Sequence, residues 1–368
     1  MAGLFERIAI GGLSLPNRIV IAPMCQYSAK DGQMTDWHLM HLGQLAISGA
    51  GVLTIEAAAV LPEGRITYAD VGLYDDASEA AIARVLAAVR QWSDIPVAIQ
   101  LAHAGRKAST AKPWDGGAQI APDATNGWQT VAPSALPFLA ADNAPVALDD
   151  GALERIRAAF AEAAVRAARL GIDAIQLHAA HGYLLHQFLS PLSNRRDDEY
   201  GGSLENRMRF PLEIFDIVRD AFAAHGPVTV RVSGTDWVEG GWSIEETVNF
   251  AQALEARGCA AINVSSGGLH PAQQIKLEPG YQVPLARTVK DAVTMPVIAV
   301  GLITDPIEAE AIIANGDADA VAIARAALYD PRWPWHAAAT LGASVAVPPQ
   351  YERSEPREHR GLYAPRRA

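Results

Sequence analysis

Eight short apolar runs, strung along the whole chain, constrain this fold more than anything else in the sequence. They are RIVIAP (18–23), GVLTIEA (51–57), PVAIQLAH (96–103), IDAIQLH (172–178), PVTVRVS (227–233), CAAINVSS (259–266), PVIAVG (296–301) and ADAVAIA (318–324). Gly or Pro opens or immediately precedes most of them, and few charges interrupt them, as in parallel strands covered on both faces. Amphipathic segments separate most of the runs. Over 153–170, Leu153, Ile156, Phe160, Ala163, Ala167 and Leu170 recur at helical steps, with Asp149 or Asp150 to cap the start and Gly171 to end it. Ser243 and Glu246 make a capping box, and Asp305, Pro306 and Glu308 open another helix.

Strand–helix units of this number close into one parallel sheet, the (β/α)8 TIM barrel of the α/β class. A doubly wound sheet is the alternative, but no G-x-G-x-x-G follows the first strand. The 368 residues suit either one large barrel or two ordinary domains. No linker divides them, so a single domain over 1–368 is expected. The opening FERIAIGGLSLPN reads as a hairpin that plugs the barrel bottom. The longest irregular stretch, 104–148, follows the third strand and is rich in Pro and Gly. Loops that long are commonly functional, often as lids.

A net charge of -11 argues for a soluble protein without a nucleic-acid or membrane partner. No window holds the ~18 uncharged apolar residues of a membrane helix, and the charged, early-broken N-terminus is not a signal peptide. Cys25 and Cys259 are too few for a disulfide framework or a four-cysteine metal or iron–sulfur site, so a reducing cytoplasm is expected. The last sixteen residues, RSEPREHRGLYAPRRA, hold five arginines in an acidic chain. On composition alone they read as a frayed, solvated tail.

A barrel carries its chemistry at the C-terminal ends of its strands. That rule selects Pro23, Met24 and Cys25; Glu56 and Ala57; Gln100, His103, Arg106 and Lys107; His178, His181 and Tyr183; Arg231; Ser265, Ser266, Gly267 and Gly268; Gly301; and Ala324 and Arg325. Carboxylates are few and hydrogen-bond donors many, so the site suits an anionic ligand. Gly301 and Arg325, after the last two strands, fit a phosphate. Arg231 sits inside an apolar run and needs an anionic or carbonyl partner; Glu56 is a candidate to pair with such a cation. His186 reads as a structural histidine. His178 and His181 admit two readings, a metal pair completed by His103 or two imidazole donors aimed at one substrate oxygen. Tyr183 is a proton donor at neutral pH.

The segments APMCQYSAKDGQMTDWHLMHLGQLA, QLAHAGRKAS, LHAAHGYLLHQFLSPLSNRRDDEYGGSLENRMRF and AVGLIT closely resemble the Old Yellow Enzyme family of FMN-dependent ene-reductases. Cys25 with Tyr27 resembles its xenobiotic-reductase and thermophilic-like class. The resemblance covers nearly the whole chain and implies a barrel holding FMN noncovalently. It implies that Ala22, Pro23, Met24, Cys25, Ala57, Gln100 and Arg231 line the flavin, while Gly301, Ala324 and Arg325 hold its phosphate. Ala324 departs from the Gly of many members, which matters if that position needs a positive φ. The resemblance further implies that His178 and His181 bind a substrate carbonyl, that Tyr183 donates a proton, and that Tyr27 and Lys107 line the substrate side. Arg353, in QYERS, matches an arginine that reaches a partner subunit's site, which implies a homodimer or a tetramer of dimers. NADPH or NADH is the implied reductant and a small activated alkene the substrate. Two rivals stand beside this: a metal-dependent barrel hydrolase using His103, His178 and His181, and a non-catalytic flavin redox sensor switched by Cys25.

Overall fold

In a computed structural model describing residues 3–364, the chain enters through a hairpin of β1 (Ile8–Ile10) and β2 (Leu13–Leu15). Gly11 and Gly12 turn it at φ of 53° and 88°, the left-handed backbone that a two-residue hairpin requires. Ile10 and Leu15 pack among Val20, Ala98, Ala174 and Ala320. The hairpin therefore closes the lower barrel, as its sequence suggests.

The body follows in strict alternation. β3 (Ile19–Ile21), α1 (Asp36–Ala46), β4 (Val52–Ala59), α2 (Asp76–Arg90) and β5 (Val97–Ala102) come first. The stretch 104–148 then adds short 3-10 turns and one two-residue ladder, β6 (Val131–Ala132) with β7 (Val146–Ala147). Next are α3 (Asp150–Arg169), β8 (Ala174–Ala179), a short α4 (Leu184–Leu189), α5 (Leu204–Phe222), β9 (Val228–Ser233) and α6 (Ile244–Glu255). The barrel finishes with β10 (Ile262–Ser265), α7 (Val283–Lys290), β11 (Val297–Val300), α8 (Pro306–Ala314) and β12 (Ala320–Ile323). Last come α9 (Arg325–Tyr329), α10 (Trp333–Leu341), β13 (Val345–Ala346) and β14 (Tyr363–Ala364).

The closed sheet runs β3-β4-β5-β8-β9-β10-β11-β12, with β12 pairing back to β3 and every barrel pairing parallel. All eight apolar runs supply a strand. Helix signals hold too. Asp149 accepts from Ala152 N at 2.8 Å, Ser243 and Glu246 cap each other, and Asp305 accepts from Ile307 N at 2.7 Å.

Strand alternation splits the sheet into two chemical faces. Outward residues such as Ile55, Ile99, Leu177 and Val264 join Phe160, Phe215 and Phe250 of the helices in one large core. Burying each such side chain contributes about 1.5–3 kcal/mol, so this shell drives the fold. Inward residues are small and apolar at the bottom, among them Val52, Ala174 and Ala320. At the top they are polar. Register sets Gln100 beside Gln176, His178 beside Arg231, and Arg231 beside Asn263.

The tail expectation is corrected for the described part. β13 and β14 pair, Glu355 accepts from Gly361 N at 3.0 Å and Tyr363 N at 3.1 Å, and Trp335 stacks edge-on to Tyr351 and Tyr363. Aromatic packing and ladder bonds override the polar composition there. Arg366 and Arg367 lie outside the described residues. Among the described residues, no helix is long and apolar enough to cross a membrane.

Candidate active site

The upper rim is organised by the turn between β8 and α4. His178, the penultimate residue of β8, is buried, and its Nδ1 accepts from Ala180 N at 3.3 Å. This puts its ring proton on Nε2. His181 adopts φ of 59°, uncommon for a residue with a side chain. Its backbone N donates to Ser233 Oγ at 2.9 Å, and its ring Nε2 lies 2.7 Å from Ser265 Oγ. The two imidazoles meet edge-on with centroids 5.1 Å apart, and the Tyr183 ring stands 4.9 Å from His178.

Glycines permit this turn. A Cβ on Gly182 (φ 76°) would sit 2.2 Å from Gly268 O, and one on Gly268 (φ 89°) would sit 2.6 Å from His181 Cα. The loops after β8 and β10 therefore touch backbone to backbone. His186 holds the turn from below: its Nδ1 accepts from Gly182 N at 3.0 Å while its Nε2 faces Asp236 Oδ1 at 2.9 Å. Asp236 Oδ2 also accepts from Ser190 Oγ at 2.6 Å and Trp242 N at 2.8 Å. Gln187 Nε2 donates to Gly182 O at 2.7 Å and to Ala104 O at 3.0 Å.

Electrostatics fix the protonation states. Burial first, then the Arg231 charge, holds the His178 and His181 imidazoles well below the usual histidine range, so both are neutral at neutral pH. Burial pushes the Tyr183 phenol well above its usual value, with Cys25 and Tyr27 adding to the rise. The phenol is therefore protonated. Burial also lowers Arg231, to about 10, which leaves it charged. Its Nη2 lies 3.5 Å from Ser265 Oγ, and its Nε is buried without a partner.

Two cavities flank this turn. One, of about 280 Å³, is lined by His181, Arg231, Ser265, Ser266, Gln282, Gly301, Ala324 and Arg325, among others. At Gly301, with φ of 128°, a Cβ would fall 2.5 Å from Gln282 Nε2, so only glycine leaves that backbone open. Ala324 has φ of -111°, so this position does not need the positive φ that would call for glycine. Arg325 is exposed at the rim. The second cavity, of about 260 Å³, lies under the 104–148 insertion and includes Tyr27, Arg106, Lys107 and Phe138.

Other expected residues divide between these walls. Ala22 is buried in the inner layer at the top of β3, and Pro23, Met24 and Cys25 follow it with partial exposure. Ala57 and Gln100 are register partners on β4 and β5, and Gln100 Nε2 donates to Gln176 Oε1 at 2.7 Å. Lys107 lines the second cavity, with its ammonium tied to the backbone of its wall. Its Nζ donates to His181 O at 2.9 Å and Gly268 O at 2.8 Å. Arg353 is exposed on the Pro349–Ser354 turn and lines neither cavity of its own chain.

Two expectations fail on geometry. Glu56 pairs with no arginine. A bulge after Ile55 turns it to α1, where Oε2 lies 3.7 Å from His38 Nε2 and Oε1 accepts from Gln26 N at 3.2 Å. His103 does not complete a metal triad with His178 and His181: its Nδ1 accepts from Gly105 N at 3.0 Å, and no group of three or more metal-binding side chains forms among the described residues. For Cys25, burial, then Asp70 and Glu56, push the thiol well above the usual cysteine value, which disfavours the switch reading. A redox sensor needs a thiolate.

The sequence reading missed Gln176, Asn263 and Gln282. Gln282 Oε1 accepts from Ser266 Oγ at 2.6 Å and its Nε2 donates to Val300 O at 2.7 Å. Asn263 is buried with neither amide atom partnered. The signal for Gln176 and Asn263 was present: each is a polar residue at an inward position of an apolar run. Gln282, at the start of a helix, gave none.

Comparison with known proteins assigns this arrangement. Residues 3–343 match the model of the NADH:flavin oxidoreductase / NADH oxidase family. The chain belongs to that family. An NADPH dehydrogenase of Geobacillus sp. (strain WCH70) is 41% identical over 352 residues, covering 95% of this chain and 98% of the relative. An NADH:flavin oxidoreductase of Gibberella zeae is 46% identical over 330 residues, covering 85% and 80%. Among solved structures, morphinone reductase in complex with tetrahydroNAD superposes with a TM-score of 0.77 at 29% identity, covering 99% of this chain and 95% of that one. The protein is thus an NAD(P)H-dependent flavin oxidoreductase of the Old Yellow Enzyme type, with FMN as its cofactor. Arg231, buried with an unpartnered Nε in the 280 Å³ cavity, fits the electron-rich edge of a flavin ring, and the open backbone at Gly301 beside Arg325 fits its phosphate.

Proposed function

We propose that this flavin oxidoreductase is an ene-reductase acting on α,β-unsaturated aldehydes, ketones or imides, with NADPH or NADH as reductant. The observation that carries the reading is a pair of neutral imidazoles beside a protonated, buried phenol, under net positive charge from Arg231 and Lys107. Such a site favours charge that develops on a carbonyl oxygen. Bound FMN supplies a two-electron hydride carrier. Ala22, Pro23, Met24, Cys25, Ala57, Gln100 and Arg231 would line it, with Gly301, Ala324 and Arg325 at its phosphate.

The chain's own groups do the rest. His178 donates from Nε2 to the substrate oxygen, and His181 exchanges the Ser265 hydroxyl for the same oxygen. Their pull on the carbonyl makes the β-carbon electrophilic. Tyr183 delivers its proton to the α-carbon from the opposite face, giving trans addition. Tyr27 and the insertion shape the pocket and exclude water. One FMN-binding domain over the whole chain, a homodimer or tetramer of dimers in which Arg353 reaches a neighbouring copy's pocket, and a cytoplasmic location belong to the same reading.

The test separates the half-reactions anaerobically. Tyr183→Phe is expected to slow alkene reduction roughly 100-fold, the scale of a lost general acid, and to slow reduction by nicotinamide far less. Equal slowing of both would remove Tyr183 from the proton-donor role.

A further inference from the structure

Lys107 carries a charge that nothing nearby neutralises. Its ammonium donates to two backbone carbonyls, His181 O at 2.9 Å and Gly268 O at 2.8 Å. It also lies 5.2 Å from the centroid of the Tyr183 ring and 4.7 Å from that of Phe138. No carboxylate forms an ion pair with it among the described residues. The titratable groups around it are cationic, neutral or remote. Arg106 adjoins it on its own turn, His181 and Tyr183 face it from the turn after β8, and His178 and Arg231 stand behind them on β8 and β9. Asp142, on the insertion, lines the same cavity without pairing with it. A half-buried cation held by carbonyl dipoles and ring faces, with no carboxylate, keeps most of its field for whatever anion forms beside it.

We infer that Lys107 is the countercharge for proton transfer from Tyr183, and that its ammonium also fixes the backbone of the histidine turn. The inference rests on the ene-reductase reading above. When hydride adds to the β-carbon, the electron pair of the alkene π bond takes the phenol proton at the α-carbon. The product leaves saturated, and the phenolate is reprotonated by water. During that interval the negative charge on Tyr183 has Lys107 across its ring. The neutral phenol gains only a cation–π contact from the same lysine, so the stabilisation is largest once the proton has left. Lys107 is a positioning residue: it acts through Tyr183 and not on the substrate.

The experiment uses the FMN holoenzyme and compares Lys107→Gln, which keeps a donor for the carbonyls but no charge, with Lys107→Arg, which keeps the charge. Lys107→Gln is expected to slow alkene reduction roughly tenfold or more, with Lys107→Arg recovering most of the rate. The pH profile gives a second reading. Burial, then Arg106, lowers Lys107 to about 8, so its charge is complete below that pH and lost above it. Wild-type alkene reduction should fall above pH about 8, and Lys107→Gln should lack that fall. A readout without turnover is the ionisation of the Tyr183 phenol, isolated as the ultraviolet difference between each protein and its Tyr183→Phe counterpart. Lys107→Gln should move that ionisation to higher pH than in Lys107→Arg.

Equal slowing by both substitutions, with an unchanged pH profile, would assign Lys107 to backbone support alone and overturn the countercharge. If Tyr183→Phe slows alkene reduction and Lys107→Gln does not, only the countercharge fails. If Tyr183→Phe leaves alkene reduction intact, the proton-donor reading fails first and takes the countercharge with it.

Discussion

The two sides of the pocket are built on opposite plans. On one side is the turn 180–184, where buried side chains hold the backbone from several directions. Ser233 accepts from His181 N, Lys107 donates to His181 O, His186 accepts from Gly182 N, and Gln187 donates to Gly182 O. On the other is the insertion 104–148, which has little regular structure and is held by bonds scattered along its length. Trp128 Nε1 donates to Glu63 O at 2.9 Å, Trp128 N to Ser109 Oγ at 3.0 Å, and Asn143 N to Gln119 Oε1 at 2.7 Å. Trp114 is 63% exposed and only leans edge-on against Tyr27. The difference teaches a division of labour. In the proposed reaction, the groups that must hold sub-ångström geometry stand on the over-determined turn, and those that would choose a substrate stand on the looser side.

Breaking the rigid side should cost most. Gly182→Ala places a methyl 2.2 Å from Gly268 O on a backbone at φ 76°. We expect it to abolish alkene reduction and to destabilise the protein by roughly 3 kcal/mol or more, read from urea unfolding. A folded variant with wild-type rates would show that the turn tolerates displacement.

Next is His186→Ala, which leaves Asp236 buried without its imidazole. Burial raises the Asp236 carboxyl, but His186 and its hydrogen bonds outweigh burial and hold it below the usual range. Removing one partner of such a pair costs about 3–5 kcal/mol. The measurement is the unfolding midpoint, together with the alkene-reduction rate of the folded fraction. A stable variant with lost activity would make His186 purely a turn-positioning group.

The looser side should respond differently. Trp114→Ala is expected to change KM across a series of bulky and small enones by roughly two- to tenfold, with small effect on kcat. A kcat loss as large as that from the turn variants would erase the division between the two sides.

The smallest effect concerns Asp70, a buried carboxyl that accepts from Thr67 N at 2.8 Å. Burial raises it from 3.8 to about 7, against the pull of Thr67. A carboxyl raised on folding stabilises the protein below its unfolded value and loses that contribution as pH rises through about 7. Asp70→Asn should remove this component. The difference in unfolding midpoint between variant and wild type should therefore shift in the variant's favour between pH 4 and 7. A pH-independent difference would mean that Asp70 folds already ionised.

The sequence by itself determined the barrel, because eight apolar runs with capped helices between them leave few other ways to bury so much surface. It also singled out the strand ends as the place for chemistry, and its motifs pointed to His178, His181 and Tyr183. Only the tertiary structure decided which groups meet. Glu56 faces α1 and His38 because one bulge reverses its side, a change of a single residue that periodicity does not show. His186 finds Asp236, fifty residues away, and Lys107 finds the carbonyls of His181 and Gly268 across three loops. Such contacts depend on how a closed sheet sets its register, and on backbone approaches that glycine permits, so they have no local signature in the chain.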